Sequence, residues 1–288
     1  MLAEAHALLK RIFGYTSFRG GQEKVVESLL SQADTLAIMP TGAGKSLCYQ
    51  IPALLFPGVT LVISPLIALM KDQVDALGEL GIPATFINSS LRAAEIRQRL
   101  QDTVDGRYKL VYVAPERLQA DSFAELIPAL NISFIAVDEA HCVSQWGHDF
   151  RPSYRKIAAF ISSLPRRPVI GAFTATATPE IKADIIKLLG LSLPQVYVTG
   201  FDRHNLSFSV LRGVNKQEFV LDYLQASSGR AGIIYAATRK DVDKLAEILQ
   251  KYKIPVSKYH AGMREAERAE NQEAFLRDDL PVMVATNA

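Results

Sequence analysis

The chain has 288 residues, enough for about two domains with cores of their own. At 49% hydrophobic, 22% charged and 8% aromatic, its composition excludes a disordered, fibrous or collagen-like protein. Lys and Arg total 32 against 30 Asp and Glu, a net charge of +2, so any polyanionic partner must be held by a local basic groove and not by bulk charge.

Two cysteines, Cys48 and Cys142, are too few for a four-ligand zinc site or a disulfide framework. They point to a reducing compartment, with the cytoplasm as default. The stretch from Leu47 to Met70 carries no charge and is long enough to span a bilayer. Pro52, Pro57, Gly58 and Pro65 interrupt it, so it reads as a buried helix followed by a buried strand, and no membrane partner is expected.

Met1 to Phe13 sets Glu4, His6, Lys10 and Arg11 among apolar residues at helical spacing, which predicts an amphipathic helix and not a signal peptide. Strands are then predicted at Asp34–Met39, Thr60–Ile63, Ala84–Ile87, Lys109–Ala114, Ile132–Val137, Val169–Phe173 and Val196–Thr199. Helices at Gly44–Leu55, Leu66–Leu80, Ala93–Asp105 and Pro179–Leu189 fall between them. This alternation predicts an α/β domain with a parallel sheet covered by helices on both faces. Phe201 to Asn205 reads as a polar connector, closing a first domain at 1–205. In a second domain, 206–288, strands are predicted at Phe208–Leu211, Gly232–Ala236, Val256–Tyr259 and Val282–Ala285. Helices are predicted there at Lys216–Ala226, Asp241–Tyr252 and Glu265–Leu276. Because the text stops just after Val282–Ala285, a domain that ends there is expected to leave a sheet edge unpaired.

Between the first strand and the helix that follows lies Met39-Pro40-Thr41-Gly42-Ala43-Gly44-Lys45-Ser46. Gly42 and Gly44 permit the backbone to turn successive N–H groups toward one anion at a helix start, the chemistry of a phosphate-binding loop. Lys45 would reach the β- and γ-phosphates and the Ser46 hydroxyl would ligate Mg²⁺. At the end of the fifth strand stand the adjacent carboxylates Asp138 and Glu139, in Val137-Asp138-Glu139-Ala140-His141. Ligands of open α/β sheets bind at such ends. Asp138 would hold the Mg²⁺ shell, and Glu139 would orient or deprotonate an attacking water. Read alone, the pair could equally cap a helix.

With these motifs in this order, the chain resembles the RecQ family of superfamily 2 helicases, and Met39 in place of a first glycine suits the helicase form of the loop. Phe13-Gly14-Tyr15 with Phe18, Arg19 and Gln22 resembles the adenine-recognition segment of that family. The resemblance implies Tyr15 stacked on adenine and Gln22 paired with its edge, in a cofactor set of Tyr15, Arg19, Gln22, Thr41, Gly42, Ala43, Gly44, Lys45 and Ser46. It also implies a catalytic set of Lys45, Asp138, Glu139 and His141. Ser64 to Gln73 and Val113 to Leu118 are similar to motifs that line a DNA-facing rim. Cys142 to Pro152, with the chain's single Trp, resembles the aromatic-rich loop of the family, which couples DNA occupancy to ATP hydrolysis. A polar loop with Trp146 and Phe150 is a natural stacking platform for unpaired bases. Phe173 to Thr178 resembles the motif whose hydroxyls link the acidic residues to the inter-domain cleft. Thr238, Arg239 and Tyr259 to Met263 resemble motifs of a second domain. DNA contacts are thereby expected from Ser64, Lys71, Gln73, Gln145, Trp146, Phe150, Arg151, Arg239 and His260.

The resemblance implies two tandem RecA-like P-loop domains, the second incomplete. It implies an ATP-dependent 3′-to-5′ DNA helicase using ATP and Mg²⁺ on single-stranded and duplex DNA, in repair and recombination. His204 stands where the family has proline. The text ends before the family's arginine-finger motif, zinc-binding subdomain and winged helix, so reduced turnover is expected of these residues alone. Two further readings stay open: an ATP- and DNA-binding module without turnover, and another P-loop ATPase such as an RNA helicase or a transporter motor.

Overall fold

The computed structural model describes residues 1–120, 123, 129–147, 149–200 and 206–286. The connector Phe201–Asn205, with His204, lies outside the described residues, as do His148 of the aromatic loop and the final Asn287 and Ala288. The chain divides into two compact units, Met1–Arg203 and His204–Ala288.

In the first unit, β1 (Thr35–Ile38), β2 (Val59–Ile63), β3 (Ala84–Ile87), β4 (Leu110–Val113), β5 (Ile132–Val137), β6 (Val169–Thr174) and β7 (Gln195–Val198) form one parallel sheet. Their order is β3-β4-β2-β5-β6-β1-β7. Every residue of β1, β2, β4 and β6 is buried, which explains why these segments read as continuous apolar runs and not as alternating ones. One face packs Val25 and Leu29 of α2 (Gln22–Leu30), Cys48, Tyr49 and Ala53 of α3 (Lys45–Leu55), and Met70 and Leu77 of α4 (Ile67–Glu79). The other packs Ile96 and Leu100 of α5 (Ala93–Val104), Ile157 and Phe160 of α6 (Ile157–Ser163), and Ile181 and Ile185 of α7 (Pro179–Leu188). The amphipathic α1 (Leu2–Phe13) lies against α3 through Ala5 and Leu9, which cluster with Ile51. It ends at Gly14, whose φ of 73° puts it in the left-handed conformation that closes helices.

The uncharged stretch 47–70 thus folds as most of α3, then β2 and the start of α4, and no described helix is long and apolar enough to cross a membrane.

The second unit contains α8 (Lys216–Ala226), β8 (Gly232–Tyr235), α9 (Arg239–Lys251), β9 (Val256–Tyr259), α10 (Glu265–Leu276) and β10 (Val282–Ala285). One sequence expectation fails here. Phe208–Leu211 is no strand: it pairs with nothing, and Phe208 and Val210 stand 92% and 84% exposed. Its apolar alternation has the period of a strand, but a strand exists only where a neighbour accepts its hydrogen bonds. The edges of this sheet are β8 and β9 and not the final strand. β10 is the central strand of the three, paired with β8 on one side and β9 on the other. Its residues are accordingly all buried, while β8 exposes Ile233 and Tyr235.

Candidate functional site

The sheet order assembles the first unit's site. β5 and β1 are both neighbours of β6, so the acidic pair and the glycine-rich loop leave the sheet on either side of Thr174. Met39 N–H donates to the Thr174 carbonyl at 2.9 Å, tying the start of the loop to that strand.

Gly42 and Gly44 have φ of 80° and 78°, the left-handed region expected of them, and Gly44 caps α3. A Cβ on Gly44 would also stand 2.4 Å from the Gln22 amide nitrogen. Gln22, 2% exposed, donates from Nε2 to the Ala43 carbonyl at 2.9 Å and the Gly44 carbonyl at 3.2 Å, and accepts from Arg19 N–H at 2.8 Å. Its amide is therefore committed to the loop backbone in this structure. Lys45 Nζ folds back to the Met39 carbonyl at 3.3 Å. Thr41 and Gly42 are exposed, and Ser46 is half-buried in the first turn of α3.

Asp138 follows β5 and continues its ladder, donating its N–H to the Ile63 carbonyl at 2.8 Å. Its carboxylate is buried and accepts the Glu139 N–H at 3.0 Å. Burial, then the Glu139 charge, pushes the Asp138 carboxyl up to about 6, opposed by that hydrogen bond and by the positive charge of Lys45. Glu139 has a left-handed backbone, φ 46°, which bends the chain sharply at the strand end. His141 is buried with Nδ1 at 2.8 Å from Thr174 Oγ1 and 3.2 Å from Glu139 Oε2. The Thr174 hydroxyl donates its only proton to the Thr176 carbonyl at 3.1 Å, so His141 Nδ1 carries the hydrogen that Thr174 and Glu139 share. Both cysteines are free and buried, and burial pushes each thiol up to about 12.

A cavity of about 260 Å³ beside the loop is lined by Phe13, Tyr15, Arg19, Gln22, Gly44 and Ser46, among others. The Arg19 guanidinium sits 5.9 Å from the Tyr15 ring. The same cavity is lined by Gln50 and Gln73, whose amides meet at 3.1 Å, and Gln50 also reaches the buried Tyr112 hydroxyl at 3.4 Å.

Three residues of the expected DNA face lie away from the exposed surface. Gln73 joins the Tyr15 cavity because it lies two residues from the exposed Lys71, on a different face of α4. Ser64 is 2% exposed with its hydroxyl enclosed at the end of β2, out of reach of a surface ligand. His260, in the second unit, is also buried: Nδ1 accepts the Gly262 N–H at 3.2 Å and Nε2 donates to Asp243 Oδ1 at 3.3 Å. Arg239 remains exposed at the start of α9.

Of the aromatic loop, Gln145 is exposed and Trp146 stands 79% exposed. Phe150 is half-buried with the Arg155 guanidinium 5.2 Å from its ring. Arg151 bonds Asp149 Oδ2 from Nε at 3.3 Å and reaches the Pro65 carbonyl at 3.1 Å, joining this loop to the segment after β2. Two residues beneath the loop escaped sequence reasoning. Tyr154, fully buried, donates its hydroxyl to the Asp138 carbonyl at 2.8 Å, and Asp184 of α7 accepts the Ser144 hydroxyl at 2.7 Å. Only the lone tyrosine in a polar run hinted at the first, and nothing local marked the second.

Residues 19–184 match the DEAD/DEAH box helicase family, and residues 215–288 match the helicase conserved C-terminal domain. The chain is 50% identical over its whole length to the ATP-dependent DNA helicase RecQ of Bacillus subtilis, covering 49% of that protein. It is 46% identical over 98% of its length to the RecQ helicase of Pasteurella multocida, covering 44% of it. The DUF1998 helicase MrfA, crystallised with DNA, shares the fold, with a TM-score of 0.76 at 19% identity over 100% of this chain and 44% of that one. The chain belongs to the DEAD/DEAH box helicases and, among them, to the RecQ family. It spans about half the length of these curated relatives.

Proposed function

We propose that the protein is an ATP-dependent DNA helicase whose first unit binds ATP and hydrolyses it in response to single-stranded DNA. One observation carries the reading: β1 and β5 flank β6 and bring the glycine-rich loop within electrostatic reach of the acidic pair, so that the Lys45 charge acts on the Asp138 carboxyl. Tyr15 and Arg19 flank the adenine, and Gln22 holds the loop in place beside it. The N–H groups of the loop and Lys45 hold the β- and γ-phosphates. Glu139, oriented by the His141 Nδ1–H, accepts the proton of the water whose oxygen attacks the γ-phosphorus as the bridging P–O bond breaks.

The donors present suit Mg²⁺. A hydroxyl in the first turn of α3 and a carboxylate that burial leaves short of counter-charge are the oxygen ligands this ion takes alongside phosphate and water. Ser46 and Asp138 would hold it, and when bound it supplies charge neutralisation at the phosphates.

Lys71, Gln145, Trp146, Phe150 and Arg151 are the strand-contacting residues of this unit, and Arg239 is that of the second. Unwinding of duplex DNA, 3′-to-5′ polarity and a role in repair and recombination are carried by the RecQ resemblance. The two buried thiols suit the cytoplasm. ATP hydrolysis measured alone, with single-stranded DNA and with RNA of the same sequence tests the proposal. Stimulation by DNA above RNA supports it. Equal stimulation would favour an RNA helicase, and tight binding of both ligands without turnover would favour a binding module.

A further inference from the structure

The only tryptophan of the chain projects from a turn that a single side chain ties to a neighbouring helix. Gly147 N–H donates to the Ser144 carbonyl at 3.1 Å, and Trp146 N–H donates to Ser144 Oγ at 3.2 Å. The turn is tight, since a Cβ on Gly147 would stand 2.7 Å from the His141 carbonyl oxygen. A hydroxyl has one proton, and Ser144 gives its own to Asp184 Oδ2 at 2.7 Å. Ser144 is fully buried, so removing the acceptor leaves that proton without a partner and frees Ser144 to leave the Trp146 N–H.

Asp184 lies on α7, whose first turn is capped by the Thr178 hydroxyl. This helix begins just after the strand end where Thr174 holds His141. The end of β6 therefore holds the acidic strand end through Thr174, and the helix that follows it holds the aromatic loop through Asp184, by two different hydrogen bonds.

We propose that Asp184 is a positioning residue for Trp146: its carboxylate, acting through the Ser144 hydroxyl, fixes the turn that presents the indole to an unpaired base. This rests on the reading of Trp146 as a strand-contacting platform. A merely structural Asp184 would change the melting temperature and leave the indole unaffected.

The single tryptophan makes the test direct. Wild type, Asp184→Ala and Asp184→Asn, each as the full 288-residue chain, are compared by tryptophan anisotropy without DNA and by titration with a single-stranded thymidine oligonucleotide. Calorimetric ATP affinity and a circular-dichroism melt accompany each variant. Asparagine keeps an acceptor oxygen for Ser144 and alanine does not. Asp184→Ala is expected to lower the anisotropy and weaken the oligonucleotide about tenfold, the scale of one lost hydrogen bond to a charged group, with ATP affinity unchanged. Asp184→Asn should stay within about twofold of wild type on the same scale. Should Asp184→Ala fail to fold, Ser144→Ala is expected to give the same loss. Wild-type anisotropy and affinity in the alanine variant would overturn the proposal, as would an asparagine variant that behaves like alanine. An oligonucleotide that leaves the wild-type emission unchanged would sink the platform reading itself, while the DNA-free anisotropies would still decide the positioning claim.

Discussion

The acidic strand end and the aromatic loop adjoin in the chain and are built on opposite principles. From Asp138 to His141 each polar side chain is buried or half-buried and held by a neighbour: Glu139 N–H on Asp138, His141 on Thr174 and Glu139. A few residues on, Trp146 stands 79% exposed, and its turn is held from below through Ser144 and Asp184. Groups that meet a developing charge act best when their orientation is already fixed. A surface that meets bases of any sequence needs an exposed ring on a supported stem. The two regions share the backbone, the end of β6 with the helix after it, and Tyr154, whose hydroxyl reaches the Asp138 carbonyl.

Substitutions on the interlocked side should bring large effects confined to nucleotide and stability. Lys45→Ala is expected to weaken ATP binding by about 3 kcal/mol, roughly a hundredfold, since it deletes the mobile charge aimed at the phosphates. Calorimetric titration with ATP and Mg²⁺ checks this. Asp138→Asn should act on stability through pH. The folded protein raises this carboxyl from 3.8 to about 6, so it keeps a proton that the unfolded chain releases, and stability falls as pH rises through that window. The variant is therefore expected to be more stable than wild type above pH 6 by up to about 3 kcal/mol, and equal to it near pH 4. Urea denaturation across that range reads the difference.

Gly44→Ala combines a left-handed backbone with a collision against Gln22 and should cost about 2 kcal/mol, seen as a lower melting temperature together with weaker ATP binding. Thr174→Val should cost least, about 1 kcal/mol or roughly 3 °C in melting, because His141 keeps Glu139 as an acceptor. None of these four should alter the affinity of a single-stranded oligonucleotide by more than about twofold, about 0.4 kcal/mol.

Much of this arrangement was legible in the sequence. The strands of the first sheet announced themselves as short apolar runs, and Gly42, Gly44 and the Asp138–Glu139 pair sat at strand ends where the fold needs them. That Gln73 and Lys71 face different ways was available in the helical phase: two residues apart is a different side of a helix. The burial of Ser64 and His260 was not legible, because a motif fixes where a residue lies along a strand and not whether neighbouring segments cover it. Phe208–Leu211 failed because pairing is a property of two segments. Tyr154 and Asp184 had no local signature at all: each meets its partner, Asp138 or Ser144, only once the fold has formed.

The separation of the two regions is tested most directly by Trp146→Ala, measured for both ligands on one preparation. Calorimetry with ATP and Mg²⁺ gives one affinity, and the anisotropy of a dye-labelled single-stranded oligonucleotide gives the other. ATP affinity should match wild type, while the oligonucleotide should weaken by about 1–3 kcal/mol, the worth of one stacked base. Parallel loss of both affinities would contradict the account, since it would mean that Trp146 supports the nucleotide site itself.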